Sequence, residues 1–391
     1  MSWQTVLLWA LAIVSILLIA KPLGSYIFRV FTFQPTLLDR PLHPLESFLF
    51  RHLNLSPDST MTAKQYAVSL LVVNFVWIII AYLVMRLQGL LPFNPEHLSG
   101  VNPRLAFNTA TSFGTNTDWQ AYNGENTMSY LSQFGALQFL MFATPATGGA
   151  AAVAFMRSVS GRPLGNFFVD LTLMLTRVFV PLSAIFGLLL IGCGVPDTLA
   201  PYLHVHTLAG STQLIPRGPI GGWEAIEHLG QNGGGFTGAN SANPLENPTA
   251  LSNFVESIAM LIVPVAFFFA AGRFFNKMRL AWMLTAVSGA FFMILLACIY
   301  FPEMAGNPIV NALGLHGHAN RVGTEYGYGM GGTAFFTTAS LTTATGSVNS
   351  ALDSFVPISS LALFVAMFLN LVFGATGSGF LNMMILLAIT V

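Results

Sequence analysis

The chain has 391 residues, of which 54% are hydrophobic and 8% charged, with 15 Lys+Arg against 15 Asp+Glu and a formal net charge of zero. An ordinary soluble domain carries roughly 25% charged residues, so a water-covered globule is excluded, and neutrality leaves no bulk charge to recruit nucleic acid or an acidic partner. The apolar residues cluster into runs of about 20 or more, the length that crosses roughly 30 Å of hydrocarbon as a helix, and the chain reads as an all-α polytopic membrane protein.

Seven spans are predicted, at about 4-32, 65-90, 132-156, 168-193, 254-272, 280-301 and 358-391. The first has no basic residue ahead of it but Lys21 and Arg29 towards its end. That is the reverse of a cleaved signal peptide, so it reads as a retained helix with its N-terminus outside. The connection after it carries Arg29, Arg40, Arg51 and Lys64, a later one Arg157 and Arg162, and a third Arg273, Lys277 and Arg279. By the positive-inside rule these three are cytoplasmic. The other connections hold Arg104, Arg217 and Arg321 but also Glu96, Asp118, Glu125, Asp197, Glu224, Glu227, Glu246, Glu303, Glu325 and Asp353, an acidic outer face that attracts cations. Cys193 and Cys298 lie in or at the end of apolar runs, where no disulfide or metal framework can be read from them.

Each long outer connection contains a short helix-compatible stretch, "PRLAFNTATSF", "GGWEAIEHL" or "GGTAFFTTASLTT", then a polar Gly/Asn/Thr-rich segment, "GTNTDWQAY", "GQNGGGFTGANSA" or "ATGSVNSALDSF". An apolar span follows each. The unit of span, half-helix, polar loop and span is an internal repeat, giving one membrane domain over 1-391. It divides into an extra N-terminal span and loop (1-64) and pore repeats at 65-160, 161-279 and 280-391. With Asn116, Gly233 and Gly346 taken as equivalent, the spacings are 117 and 113 residues. Non-helical backbone at membrane depth must be buried in protein or line a wet cavity. A re-entrant loop meets that condition. Carbonyls that all face one way need positive φ, which Gly adopts freely and Asn tolerates, and such carbonyl rings replace the hydration shell of potassium.

The strings "TNTDWQAY" (115-122), "NGGGFTGANSANPLENPTALSNF" (232-254), "TATGSVNSALDSF" (343-355) and "FGATGSG" (373-379) resemble the potassium-binding A subunit family of the Kdp potassium-transporting ATPase, end to end. The resemblance implies a filter of Thr115, Asn116 and Thr117 with Gln120 beside it, Gln231, Asn232, Gly233 and Gly234, and Thr345 and Gly346. These residues would bind K+, the transported ion, through backbone carbonyls. Gln231 stands where the family has Thr. The resemblance further implies a multi-pass protein of the bacterial inner membrane, without a covalently bound cofactor. Its partners would be membrane lipid, the P-type ATPase B subunit, the C subunit and the small F subunit. The family's filter has four repeats, and a period of about 115 puts the fourth near residue 460, so a truncated product is expected.

The chain has neither G-x-x-x-x-G-K-[ST] nor an Asp-Lys-Thr-Gly phosphorylation sequence, so ATP chemistry is expected elsewhere in a complex and no catalytic residue is assigned. An autonomous potassium channel or ion-coupled symporter of the same architecture is the alternative, and a membrane enzyme using the Gly-rich loop is a third reading. Gly233 to Gly238 fit G-x-G-x-x-G with Glu256 about 20 residues on, but a dinucleotide fold needs a strand first. His204/His206 and His316/His318 read as metal pairs or as solvated loop residues. Asp118 and Asp353 follow filter segments, either concentrating cations or bonding a neighbouring loop. Asp170 and Arg177 are intramembrane charges that must pair or face a cavity. Gly374, Gly377 and Gly379 interrupt the last span, either for close helix packing or, as the resemblance favours, as a gate loop beneath the filter.

Overall fold

A computed structural model of the protein describes residues 1–314, 319–369 and 373–390. In chain order these form α1 (Trp3–Phe31), α2 (Asp39–His52), α3 (Ala63–Leu87), α4 (Pro103–Gly114), α5 (Gly124–Thr127) and α6 (Gln138–Val159), the last entered through a π-helical stretch, Leu131–Leu137. A second π-helical stretch, Met174–Phe179, joins α7 (Phe167–Leu173) to α8 (Val180–Gly192). A two-stranded antiparallel hairpin, β1 (Leu203–His206) and β2 (Thr212–Ile215), precedes α9 (Gly221–Leu229). Then follow α10 (Ala250–Phe274), α11 (Met278–Ala305), α12 (Pro308–Ala312), α13 (Gly329–Thr342), α14 (Pro357–Leu369) and α15 (Ser378–Thr390).

Six helical stretches among the described residues are long and apolar enough to cross a membrane: Trp3–Phe31, Ala63–Leu90, Leu131–Val159, Phe167–Gly192, Ala250–Phe274 and Met278–Ala312. The seventh expected span is instead two helices of 13 residues each, α14 and α15. At 1.5 Å per residue each reaches only about 20 Å. The amphipathic α2 and the β-hairpin carry no long apolar run, and a search for spans passes over both.

The starts of these helices are written in polar residues at their water-facing ends. Thr62 and Gln65 close a capping box on α3, Thr249 and Ser252 another on α10, and Asn102 caps α4 with Pro103 in its first turn, each satisfying N–H groups that the helix leaves free. Along α3 the apolar Leu71, Phe75 and Ile79 are exposed, one face that only lipid would cover. By contrast α10 is buried along nearly its whole length. Its closest approach is to α1, where a methyl on Gly24 would lie 2.4 Å from the Ala266 carbonyl oxygen. Phe28 and Phe274 meet edge to face at 5.0 Å. Small residues let helix backbones approach this closely.

The connections rich in Arg and Lys gather at one end. Arg162 lies over the rings of Phe28 and Phe274 at 5.4 and 5.8 Å, and Met61 N–H donates to the Gly165 carbonyl at 2.9 Å. Here the two intramembrane charges find their partners, and they do not pair with each other. Asp170 accepts from both Arg157 Nη1, at 2.8 Å, and Tyr66 Oη, at 3.1 Å. Arg157 Nη2 also donates to the Phe31 carbonyl at 2.8 Å. Arg177 binds Glu46 and Asp39 of α2, fastening that surface helix to the bundle. Hydrogen bonds from Thr36, then Arg177, hold the Asp39 carboxyl down at about 2.

Asp170→Ala should therefore leave Arg157 buried and uncompensated, lowering stability by about 3–5 kcal/mol, whereas the exposed Asp58→Ala should stay within about 0.5 kcal/mol of wild type. Denaturation of the two detergent-solubilised variants compares them directly.

Candidate functional site

Three of the short helices share a C-terminal design: α4, α9 and α13, of 12, 9 and 14 residues. Each ends in the same turn. The second residue past the helix, Asn116, Gln231 or Ala344, has positive φ (60°, 51° and 57°), as does the fourth, Asp118, Gly233 or Gly346 (49°, 71° and 83°). The N–H groups of Asn116, Gln231 and Ala344 return three residues to Phe113, His228 and Leu341 at 3.4, 3.4 and 3.3 Å. Those of Thr117, Asn232 and Thr345 return five residues to Ser112, Glu227 and Ser340 at 3.0, 2.9 and 2.8 Å. This is the Schellman arrangement that closes a helix C-terminus with backbone alone.

The consequence is directional. Thr115, Gly230 and Thr343 have φ of −111°, −86° and −100°, so the sign of φ alternates along each four-residue segment. Alternating right- and left-handed residues gather N–H groups on one side and leave the carbonyls on the other. The structure also corrects the register: Asp118, not Asn116, matches Gly233 and Gly346, and Asn116 matches Gln231 and Ala344. Both sets are spaced by 115 and 113 residues. Glycine was the wrong marker, because Asn and Asp also tolerate the left-handed region.

The three loops touch one another. Asn116 Nδ2 donates to the Gln231 carbonyl at 3.2 Å, and its Oδ1 accepts from Asn232 Nδ2 and Thr144 Oγ1, both at 2.8 Å. Gln120 Nε2 donates to the Gly235 carbonyl at 2.8 Å. A Cβ on Gly233 would lie 2.3 Å from the Thr345 carbonyl oxygen, and one on Gly234 would lie 2.8 Å from that of Asp118. At Gly346, by contrast, a Cβ would meet nothing within 4 Å. Thr115 and Thr117 are exposed, while Thr345 is buried. The Gln231 side chain turns away from the loops. Its Nε2 donates to the Leu229 and Met260 carbonyls at 2.7 and 3.3 Å, and its Oε1 accepts from Thr376. Thr144 and Thr376 carried no signal in the sequence, since each lies in an apolar or glycine-broken run.

Thr376 belongs to the segment 373–377 between α14 and α15, which lies against the C-terminal end of α13. The N–H groups of Phe373 and Gly374 donate to the Thr342 carbonyl at 3.2 and 3.0 Å. Gly374 and Gly377 have φ of 68° and 79°. A Cβ on Gly379 would lie 2.2 Å from the Phe373 carbonyl oxygen, and one on Gly377 2.7 Å from that of Gly148 in α6. Gly374 and Gly377 thus take the left-handed backbone of the break, and Gly377 and Gly379 sit where a side chain would clash.

Other candidates separate. Asp118 is buried beside the Asn232 side chain; Asp353 is exposed. His204 and His206 are exposed on β1, where His206 Nδ1 lies 3.4 Å from Thr212 Oγ1. His316 and His318 lie outside the described residues. Gly233 to Gly238 follow a helix, α9, rather than the strand that a dinucleotide site requires.

The family model of the potassium-transporting ATPase A subunit matches residues 10–391. The chain is 44% identical over 395 residues to a potassium-transporting ATPase potassium-binding subunit from Alicyclobacillus acidocaldarius, covering 100% of this chain and 70% of that relative.

The turn geometry predicts stability changes of opposite sign. Ala344→Gly should stabilise by about 1 kcal/mol by removing a Cβ from the left-handed region. Gly233→Ala should destabilise by more than about 1 kcal/mol, combining that strain with the clash on Thr345. Thermal unfolding of both variants measures the two signs together.

Proposed function

The chain belongs to the potassium-transporting ATPase A subunit family, and from that premise we propose that it is the potassium-binding, potassium-translocating subunit of an ATP-driven uptake pump, selecting K+ from outside through backbone carbonyls. The observation that carries this reading is the turn repeated after α4, α9 and α13, with its alternating φ and returned N–H groups. In it, 65-160, 161-279 and 280-391 are three pore repeats with re-entrant loops. A K+ ion would shed water for the carbonyl oxygens of Thr115, Asn116 and Thr117, of Gln231, Asn232, Gly233 and Gly234, and of Thr345 and Gly346. Gln120 braces the first loop against the second. Three helix C-termini, each equivalent to roughly half a negative charge, point towards the loops and favour a cation.

The gathered Arg and Lys residues would be cytoplasmic in the bacterial inner membrane, with the N-terminus and loop entrances outside. The ATPase B subunit would supply the energy, with the C and F subunits completing the complex. Segment 373–377, tied to Gln231 and Thr342, would be a gate beneath the filter that holds the ion until the ATPase draws it away.

In the complete pump, Gly233→Asp should weaken apparent K+ affinity at least tenfold, about 1.4 kcal/mol, with normal membrane insertion. Gly346→Asp, which meets no crowding, tests φ and charge alone. Potassium-stimulated ATPase activity reads both, and unchanged affinity in the two variants would remove these residues from the filter.

Replacing Gly374, Gly377 and Gly379 together with Ala should favour continuous helix by about 1 kcal/mol per position. Filter affinity should stay near wild type, while ATP hydrolysis loses its dependence on transport or a passive K+ leak appears. A purely packing role predicts less assembled complex with normal transport per ATP, and that result would falsify the gate.

A further inference from the structure

Behind the second and third loops lies a group of buried ionisable side chains that carbonyl selection does not use. Glu224, Glu227 and His228 of α9 each bring one ligand-type atom into a cluster whose members all lie within 4.8 Å of one another, fully buried. Glu256 of α10 sets its Oε2 3.6 Å from His228 Nε2. Ser241 Oγ lies 3.0 Å from Glu224 Oε2 and 3.2 Å from His228 Nε2, and Ser347 Oγ lies 3.1 Å from the same nitrogen.

Two independent features point to a ligand there. The first is the state of the imidazole. His228 Nδ1 lies 2.6 Å from the Glu224 carbonyl oxygen, which can only accept, so Nδ1 carries a proton, and in the neutral imidazole Nε2 turns a lone pair into the cluster. Fixing one ring nitrogen on a backbone carbonyl is how metal-ligating histidines are oriented. The second is the unmet demand of the carboxyls. Glu224 Oε1 and both oxygens of Glu227 and of Glu256 are buried with no hydrogen bond within 3.5 Å. Glu224 faces Glu227, the Ser347 and Ser241 hydroxyls face Glu227 and Glu256, and among the described residues no Lys or Arg pairs with these carboxyls. Glu246, close by, is different: the N–H groups of Thr237 and Ser241 donate to it at 2.7 and 3.3 Å. Burying unpaired carboxylates costs several kcal/mol each, so their charge must be met by protons or by a cation.

We propose that Glu224, Glu227 and His228, with Glu256 beside them, bind a divalent cation of the Mg2+ or Mn2+ class behind the filter loops. Carboxylate oxygens select a hard ion, and one imidazole among them suits Mn2+ better than Ca2+. Ser347, which directly follows Gly346, reaches His228 and Ser241, so the ion would fasten the third loop to α9. It is a resident ion, separate from the transported one.

The test uses the assembled pump, stripped with EDTA, re-equilibrated with MnCl2 and freed of unbound metal. Wild type should hold about one Mn2+ per complex more than Glu227→Gln, a difference that cancels any Mn2+ on the ATPase subunit. Pulsed EPR of the wild type should show an imidazole-nitrogen coupling, lost in His228→Ala and kept in His204→Ala. Should the cluster variants fail to assemble, the wild-type spectrum decides alone, because a nitrogen coupling supports the site and its absence overturns it. Equal Mn2+ in wild type and Glu227→Gln also overturns it, and means that protons neutralise the carboxyls. Potassium affinity on the same preparations reports separately on the filter.

Discussion

A backbone that leaves the helix inside a membrane protein has nowhere to send its polar groups except to itself. The turns after α4, α9 and α13 meet this constraint by returning N–H groups of the loop to the last carbonyls of the helix just left. Both sets of groups are then satisfied without side chains. The returned N–H groups occupy helix carbonyls rather than the loop's own; of the loop oxygens, those of Gln231 and Gly234 accept instead from the side chains of Asn116 and Trp223. The shortness of the three helices follows too, since each has to stop where its loop is needed.

Charge is handled by a different rule. Each of the two buried arginines answers acids from another helix: Arg157 reaches Asp170, and Arg177 reaches Glu46 and Asp39. Both pairs lie where the basic connections gather, away from the loops. Among the described residues, the buried positive charge serves to join helices.

The spans and half-helices were legible because apolar length and punctuation by Gly, Asn and Pro are local properties. Three short helices were expected close to where α4, α9 and α13 occur. The register within the loops was not legible, because the left-handed positions are held by Asn116, Gln231 and Ala344 as well as by glycines. A motif made of backbone hydrogen bonds leaves little trace in side chains. The partners of Asp170 and Arg177 were hidden for another reason. Glu46 is 131 residues from Arg177, and no periodicity links positions so far apart. The break in the last apolar run was legible in its three glycines, and two helices of 13 residues flank it.

The contact of α1 with α10 bears on how such a chain is made. The Gly24 face of α1, shaped to receive the Ala266 backbone, leaves the ribosome before α10, and among the described residues three further candidate spans are synthesised between the two. Until then α1 has lipid where its closest neighbour will be. The order of synthesis and the order of packing therefore differ. This contact of the bundle closes only when α10 arrives, and a nascent chain arrested before Ala250 would hold α1 in the membrane with that groove still open.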